Sequence, residues 1–148
     1  MIFPSGEITV SRFFRDDDKN LVILPNFYDR LICHVEDSIS CPDTEGAFAD
    51  LTKPANGDAI RKALPDSCLF DDVSSFLVCL ASLLSKQWNE EDGPLLTNEK
   101  ANIFLVRSKS DICYSVRARR INNQWRLPVH FTFESLTWQA GRRVFFRT

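Results

Sequence analysis

Several motifs that identify a chemical activity are missing from this sequence of 148 residues. It has no Gly-x-Gly-x-x-Gly fingerprint, no Gly-x-x-x-x-Gly-Lys phosphate loop, no His-Glu-x-x-His pair and no Gly-x-Ser-x-Gly elbow. Only two histidines, His34 and His130, are present to act as bases or ligands. These absences favour a protein without catalysis, and we assign no catalytic residue.

Glycine and proline are also scarce, with five and seven residues. This scarcity excludes collagen-like repeats and low-complexity segments. The chain is 44% apolar and contains 12 Phe and 3 Trp, which is more apolar surface than a disordered protein leaves exposed. Chains of this size typically form one domain and bury about 70% of their unfolded surface. We therefore predict a single domain over residues 1–148.

The sequence has no long apolar run. Its longest apolar stretch, residues 76–84, is interrupted by Ser82 and is far shorter than the roughly 20 residues of a membrane helix. The start of the sequence, Met1-Ile2-Phe3-Pro4, lacks the basic and apolar regions of a secretory signal. We expect a cytoplasmic protein that does not span a membrane.

The cysteines form an odd set of five without a Cys-x-x-Cys pair, which argues against a disulfide framework and a structural zinc site. Cys33, His34 and Cys41 are close enough in sequence to be considered as metal ligands. Adjacent residues of a strand point to opposite faces, however, so Cys33 and His34 would diverge. We interpret the cysteines as reduced thiols that pack like small apolar groups, and we predict no metal and no cofactor.

Short apolar runs between turn residues predict strands in the N-terminal part of the chain. Residues 8–14 and 21–24 form a hairpin in this interpretation, and the alternation over residues 27–36 predicts a third strand. Residues 40–56 show no sustained period and are predicted to be irregular. A short helix is predicted over residues 58–64, ending before Pro65.

A longer helix is predicted over residues 72–88. Its apolar residues recur at intervals of three and four, which makes one stripe that we expect to face the core. Asp71 or Asp72 can cap its first amides. The stripe consists of Val73, Phe76, Leu77, Leu80, Leu83, Leu84 and Trp88.

The last third of the sequence contains a hairpin whose register can be predicted. Asn tolerates the positive φ of a two-residue turn, so Asn122-Asn123 is placed at its centre. One face of the two strands is then apolar, and a shift by one residue would destroy this separation. The apolar pairs are Ala118 with Leu127, Val116 with Val129, Tyr114 with Phe131 and Ile112 with Phe133. The opposite face pairs Arg119 with Arg126, Arg117 with Pro128, Ser115 with His130 and Cys113 with Thr132.

Residues 102–107 and 142–147 each add a strand, so we predict a C-terminal four-strand antiparallel meander. Phe104 could share a face with the arginines of the hairpin, and Arg120 falls opposite Trp125, where a cation–π contact is expected. The prediction is an α+β single domain. Its mostly antiparallel sheet, completed by the N-terminal strands, packs against the one main amphipathic helix.

Helices followed by long antiparallel strands, with Asn122-Asn123-Gln124-Trp125-Arg126-Leu127 at the last hairpin, make the pattern loosely similar to the cone-shaped nuclear-transport-factor-like fold. The likeness covers about a third of the chain, and the strands predicted before the helix depart from that family's order. The resemblance implies a concave sheet that encloses a pocket for a small molecule. It transfers no functional residue to this chain.

The net charge of -2 conceals a division of charge along the chain. Residues 1–99 contain 8 Lys or Arg against 18 Asp or Glu, a net charge of -10, whereas residues 100–148 contain 10 against 2, a net charge of +8. The two parts neutralise each other within one fold or across a symmetric homodimer, or the basic part binds a partner. The binding candidates are Arg117, Arg119, Arg126 and His130, because guanidinium groups match carboxylates and phosphates.

The leading functional hypothesis is a small soluble, non-catalytic binding protein that forms a homodimer or is accessory to an acidic protein partner. One alternative is a binding protein or enzyme for an anionic small molecule, oriented by Arg117, Arg126 and His130. Another is nucleic-acid binding through the basic sheet, which the excess of acidic residues elsewhere disfavours. Cys113 with His130 is the one conceivable nucleophilic pair, but a thiol beside arginines is usually a spectator.

Overall fold

The computed structural model describes residues 1–15, 17–89, 91–134 and 136–148, and these residues form an α+β structure. None of their helices is long and apolar enough to cross a membrane. The helices are Val10–Phe13 (α1), Pro25–Arg30 (α2), Gly57–Ala63 (α3) and Val73–Lys86 (α4). The strands are Ile2–Phe3 (β1), Gly6–Thr9 (β2), Leu21–Ile23 (β3), Ser38–Cys41 (β4), Thr44–Asp50 (β5), Ala55–Asn56 (β6), Asn102–Arg107 (β7), Cys113–Ile121 (β8), Gln124–Leu127 (β9), Val129–Phe131 (β10), Thr137–Trp138 (β11) and Arg143–Arg147 (β12).

One mostly antiparallel sheet organises the described chain. Its strand order is β1-β5-β12-β7-β8-β9-β3. β10 follows β9 in the chain and pairs with an earlier part of β8. Two of its pairings, β12 with β7 and β3 with β9, are parallel. Two-stranded sheets, β2 with β4 and β6 with β11, lie outside this arrangement.

The structure confirms the predicted register of the C-terminal hairpin. Arg119 pairs with Arg126, Val116 with Val129 and Tyr114 with Phe131. Asn122 and Asn123 have φ values of 52° and 62°, as the two-residue turn requires. Pro128 interrupts the second strand, and its carbonyl accepts a hydrogen bond of 3.0 Å from the Arg117 N–H. The predicted outermost pair, Ile112 with Phe133, lies beyond the ends of these strands.

Helix α4 is confirmed over most of its predicted length. The Asp72 carboxylate accepts hydrogen bonds from the N–H groups of Ser74 and Ser75, which caps the helix start. The apolar stripe of α4 belongs to the main core together with the face of the sheet that carries Phe104 and Val116. The Phe76 and Phe104 rings lie 5.5 Å apart. We call this face of the sheet the near face.

The opposite face of the sheet, the far face, carries a second and smaller apolar cluster. Ile103 and Leu105 of β7 alternate with the near-face residues of the same strand and are buried. Helix α3 contributes Ile60 to this cluster, and β11 contributes Trp138. This helix confirms the one predicted over residues 58–64. Apolar residues cover only part of the far face.

The predicted strand over residues 27–36 is wrong. This segment forms the last part of α2 and a 3₁₀ turn over Ile32–His34. Pro25 occupies the first turn of α2, where a missing N–H costs nothing and the fixed φ suits a helix. Phe27 and Leu31 are four residues apart, so they satisfy helical spacing as well as strand alternation, and both are fully buried.

The N-terminal hairpin is also wrong, because each of its strands pairs with a distant segment. β2 pairs with β4, residues 10–13 form α1, and β3 runs parallel to β9. Residues 40–56, predicted to be irregular, contain the seven-residue strand β5. Gly46 in this strand lies against the Phe3 ring, and a Cβ at this position would collide with it.

The last strand does not continue an antiparallel meander. β12 lies between β5 and β7 and is parallel to β7. After β10 the chain therefore leaves the neighbourhood of β8 and rejoins the sheet on the other side of β7. The register of β7 against β8 places Phe104 opposite Val116 on the near face. Phe104 stacks on Phe145 at 4.9 Å and is fully buried, so it does not share a face with the arginines.

The turn of the β8–β9 hairpin depends on the positive φ of Asn123, so substitutions at this position test the hairpin register. Replacing Asn123 by Val should lower the free energy of unfolding by about 1–2 kcal/mol, because a β-branched residue is unfavourable in the left-handed region. Replacing Asn123 by Gly should leave stability equal or higher. Urea unfolding of both variants measures the difference. Equal stabilities for the Val and Gly variants would contradict the turn.

Candidate functional site

The far face carries all four residues predicted as binding candidates. Arg117 and Arg119 lie on β8, Arg126 lies opposite Arg119 on β9, and His130 lies on β10 opposite Ser115. Period-two alternation in the confirmed register places their side chains on the face opposite Val116. The structure therefore brings these four residues to one face of the sheet.

Several basic residues of the C-terminal part are neutralised within the molecule. Arg143 binds Asp50 at 2.7 Å, and Arg147 binds Asp71 at 2.7 Å. Arg107 lies 3.7 Å from Asp66. Each pair joins a basic C-terminal residue to an acidic residue from the first half of the chain. Part of the charge division is thus resolved by contacts within one fold.

The far-face arginines of β8 and β9 and the nearby Arg142 have no such partner within the described chain. The Arg119 Nε donates to the Glu99 carbonyl oxygen at 2.9 Å. The Arg142 Nη1 donates to the Ala140 carbonyl oxygen at 3.2 Å. These acceptors are neutral, and Arg126 is exposed to solvent. We call Arg117, Arg119 and Arg142 the arginine cluster, because all three line one small cavity.

The cavity has a volume of about 130 Å³ and is bounded by β8, β11 and the turn that precedes β12. Besides the arginine cluster, Trp138 and the polar residues Thr137 and Gln139 line it. No carboxylate from the described residues lines the cavity. Its positive charge is therefore not balanced locally by the described side chains.

Two residues that line this cavity each carry a buried N–H donor without a hydrogen-bond partner among the described residues. The donors are the Nε of Arg117 and the Nε1 of Trp138. Trp138 is only 4% exposed, so water reaches it poorly from the surface. A buried donor left without a partner costs about 1–3 kcal/mol. An acceptor that reached them from the cavity would satisfy both donors.

Burial also lowers the pKa of Arg117, and the nearby charge of Arg119 lowers it further. A guanidinium stays protonated in proteins, so this shift does not neutralise the side chain. It reports instead that the charged form is less favourable here than in water. An anion beside Arg117 would reverse this effect.

His130 links Arg117 to Glu134. Its Nδ1 lies 3.0 Å from the Glu134 Oε2, and its Nε2 lies 3.3 Å from the Arg117 Nη2. A carboxylate accepts and a guanidinium donates, so neutral His130 carries its proton on Nδ1 and accepts at Nε2. His130 therefore positions the guanidinium of Arg117 and leaves no ring nitrogen free.

Glu134 is held by three contacts. Its Oε1 accepts a hydrogen bond of 3.0 Å from the Phe131 N–H and lies 3.7 Å from the Arg30 guanidinium, while its Oε2 contacts His130. The Phe131 N–H and then His130 lower the pKa of Glu134 below its usual value. The carboxylate is thus stabilised in its charged form beside His130.

The considered pair of Cys113 and His130 does not form a nucleophilic site in this geometry. Burial raises the pKa of the Cys113 thiol, which disfavours the reactive thiolate. Both ring nitrogens of His130 contact other residues. Cys33 and His34 lie in the 3₁₀ turn, and no group of three or more His, Cys, Asp or Glu among the described residues is arranged to hold a metal ion.

The cavity also bears on the expected cone-shaped pocket. Ligand pockets for whole small molecules usually exceed about 300 Å³. The cavity that Arg117 and Arg119 line is smaller, at about 130 Å³. It accommodates one charged group rather than a complete ligand of that size.

Comparisons of this chain with protein-family models, curated proteins and solved structures find no match. The likeness to the nuclear-transport-factor-like fold thus gains no support from a solved structure.

The contacts of the Glu134 carboxylate predict how the stability of the protein depends on pH. Its pKa is lowered by folding, so its contribution to stability is present above its usual value of 4.5 and is lost as the pH falls through the lower folded value. Glu134→Gln should destabilise the protein at about pH 7 and should have little effect at about pH 3. Urea unfolding at both values measures this, and an equal loss at both would contradict the contact.

The cysteines differ sharply in their environments, which predicts their reactivity. Cys33 is exposed, whereas burial raises the pKa of Cys79 to about 12. Iodoacetamide at about pH 8 should modify Cys33 in the native protein and should leave Cys79 unmodified until unfolding. Mass spectrometry of digested protein measures the two rates. Equal native rates for Cys33 and Cys79 would contradict this packing.

Proposed function

We propose that this protein is a non-catalytic binding protein whose far face recognises an acidic protein partner. The supporting observation is the contrast between two sets of arginines. Arg143 and Arg147 are paired with carboxylates in the fold, whereas Arg117, Arg119 and Arg126 have none among the described residues. A partner's carboxylates would supply the missing counter-charges.

The arrangement of Arg119 and Arg126 strengthens this proposal. They are directly opposed on neighbouring strands, and like charges in that position are destabilising. A carboxylate bound between them would convert repulsion into two attractive contacts. Guanidinium groups also bind carboxylates through two parallel hydrogen bonds, which gives the contact a defined orientation.

The alternatives have less support from the geometry. For nucleic acid, an aromatic side chain among the arginines would offer a stacking surface, but Phe104 is buried on the near face. For a complete small molecule, the cavity beside the arginines is below the usual volume of such sites. A homodimer would need other acidic residues of the second copy, because Asp50, Asp66 and Asp71 are already paired with arginines of the same chain.

Charge reversal on the far face tests the proposal. Arg126→Glu should weaken binding of a fluorescein-labelled hexaglutamate peptide by about tenfold, which corresponds to about 1.4 kcal/mol. Lys86→Glu changes the net charge equally but lies in α4, so it should change the affinity by less than about twofold. Fluorescence anisotropy measures both, and binding should weaken as salt rises.

Three results would overturn the proposal. Equal losses in the Arg126 and Lys86 variants would show that net charge alone attracts the peptide. Tighter binding of a DNA oligonucleotide than of the peptide at the same ionic strength would favour nucleic acid. Light scattering that shows a wild-type dimer dissociated by Arg126→Glu would identify a second copy as the partner.

A further inference from the structure

The cavity of the arginine cluster differs from the exposed part of the far face around Arg126. It combines three guanidinium groups, no carboxylate among the described residues that line it, and two buried donors without partners. We propose that this cavity is a binding subsite for a phosphoryl group. The proposal deepens the proposed function and depends on it, because it names the chemistry of one anionic group that the far face recognises.

The chemistry of the donors defines the group that fits. A guanidinium and an indole N–H donate hydrogen bonds and accept none. The partner of Arg117 Nε and Trp138 Nε1 must therefore present acceptor atoms. This requirement excludes ammonium and guanidinium groups from the cavity, and it favours an oxyanion whose separate oxygens satisfy different donors.

The number of charges favours a phosphoryl group over a carboxylate. A phosphate monoester carries about -1.5 to -2 charges at pH 7 and offers three strong acceptor oxygens. The three members of the arginine cluster match this charge better than they match the single charge of a carboxylate. Arginine also binds phosphate oxygens through two parallel N–H groups.

The position of Arg117 supports a prearranged site. Its Nη2 donates to His130, which Glu134 holds in turn, so part of the guanidinium is fixed before any ligand arrives. Its Nε is the part left without a partner. Prearranged donors cost less to order on binding than mobile ones.

The size of the cavity limits what enters it. A volume of about 130 Å³ suits one small oxyanion or the end of a longer ligand. The phosphoryl group can thus come from inorganic phosphate or from a phosphorylated side chain of the acidic partner. In the second case, Arg126 would lie outside the cavity, where carboxylates beside the phosphorylated residue could contact it.

The indole N–H signals of the three tryptophans provide a direct test. Inorganic phosphate titrated into the ¹⁵N-labelled protein should shift the Trp138 indole signal in a saturable manner. The Trp125 signal should stay in place, because its Nε1 already donates to the Gln87 carbonyl oxygen at 3.2 Å. Trp138→Phe assigns the signal and removes one donor while keeping an aromatic ring.

A variant at the rim of the cavity keeps the test independent of Trp138 packing. Arg142→Gln should weaken phosphate binding by about tenfold, measured by the shift of the Trp138 signal. Lys86→Gln, which removes the same charge on α4, should change the affinity by less than about twofold. Equal effects of the two variants would overturn the site.

Three further results separate this inference from the proposed function. If phosphate leaves Trp138 unshifted while hexaglutamate still binds in an Arg126-dependent manner, the phosphoryl subsite is wrong and the acidic partner stands. If acetate shifts Trp138 as strongly as phosphate, the preference for phosphate is wrong. If a phosphoserine peptide shifts Trp138 and its unphosphorylated form does not, the phosphorylated partner is supported over free phosphate alone.

Discussion

The alternation of side chains along β8 is the constraint on which the described structure depends. This strand pairs with β7, β9 and β10, so its register determines which residues of four strands share a face. Its apolar residues, such as Val116, join the core beneath α4. Its arginines, Arg117 and Arg119, must then lie on the far face. The packing of the core and the position of the candidate site are thus two results of one register.

The charges follow from this arrangement. The pairing of β12 with β5 brings Arg143 to Asp50, and Arg147 reaches Asp71 before α4. On the far face of β8 and β9, Arg117, Arg119 and Arg126 form no ion pair with a carboxylate of the described residues. Arg117 is held there by His130 instead, at 3.3 Å. The division of charge along the chain is therefore resolved at Arg107, Arg143 and Arg147 and left open at Arg117, Arg119 and Arg126.

Local pattern predicted the parts of the fold whose partners are close in sequence. The register of the C-terminal hairpin and the span of α4 could be predicted, because a two-residue turn and a regular apolar period define them. The pairing of β5 with β12 could not, since about a hundred residues of chain separate the partners and no local period records their contact. The strand predicted over residues 27–36 is wrong because the spacing of Phe27 and Leu31 fits a strand and a helix alike. The face of Phe104 could not be predicted, because only the register of β7 against β8 determines it.

The same distinction applies to the candidate site. Arg117, Arg119, Arg126 and His130 could be placed on one face from the hairpin alone. Arg142 and Trp138 could not be added, because they come from a segment that returns across the far face after the hairpin ends. The cavity thus became visible only when distant segments met. Its unpaired donors were equally invisible in the sequence, since they depend on burial.

We infer that the fold leaves an oxyanion site between Arg117 and Trp138. The most direct test is an anomalous difference map from crystals of the protein soaked with selenate, a tetrahedral dianion like phosphate. We predict a selenium peak in the cavity, with its oxygens in hydrogen-bond distance of Arg117 Nε and Trp138 Nε1. A cavity that holds only water, with selenate bound elsewhere or absent, would contradict the claim.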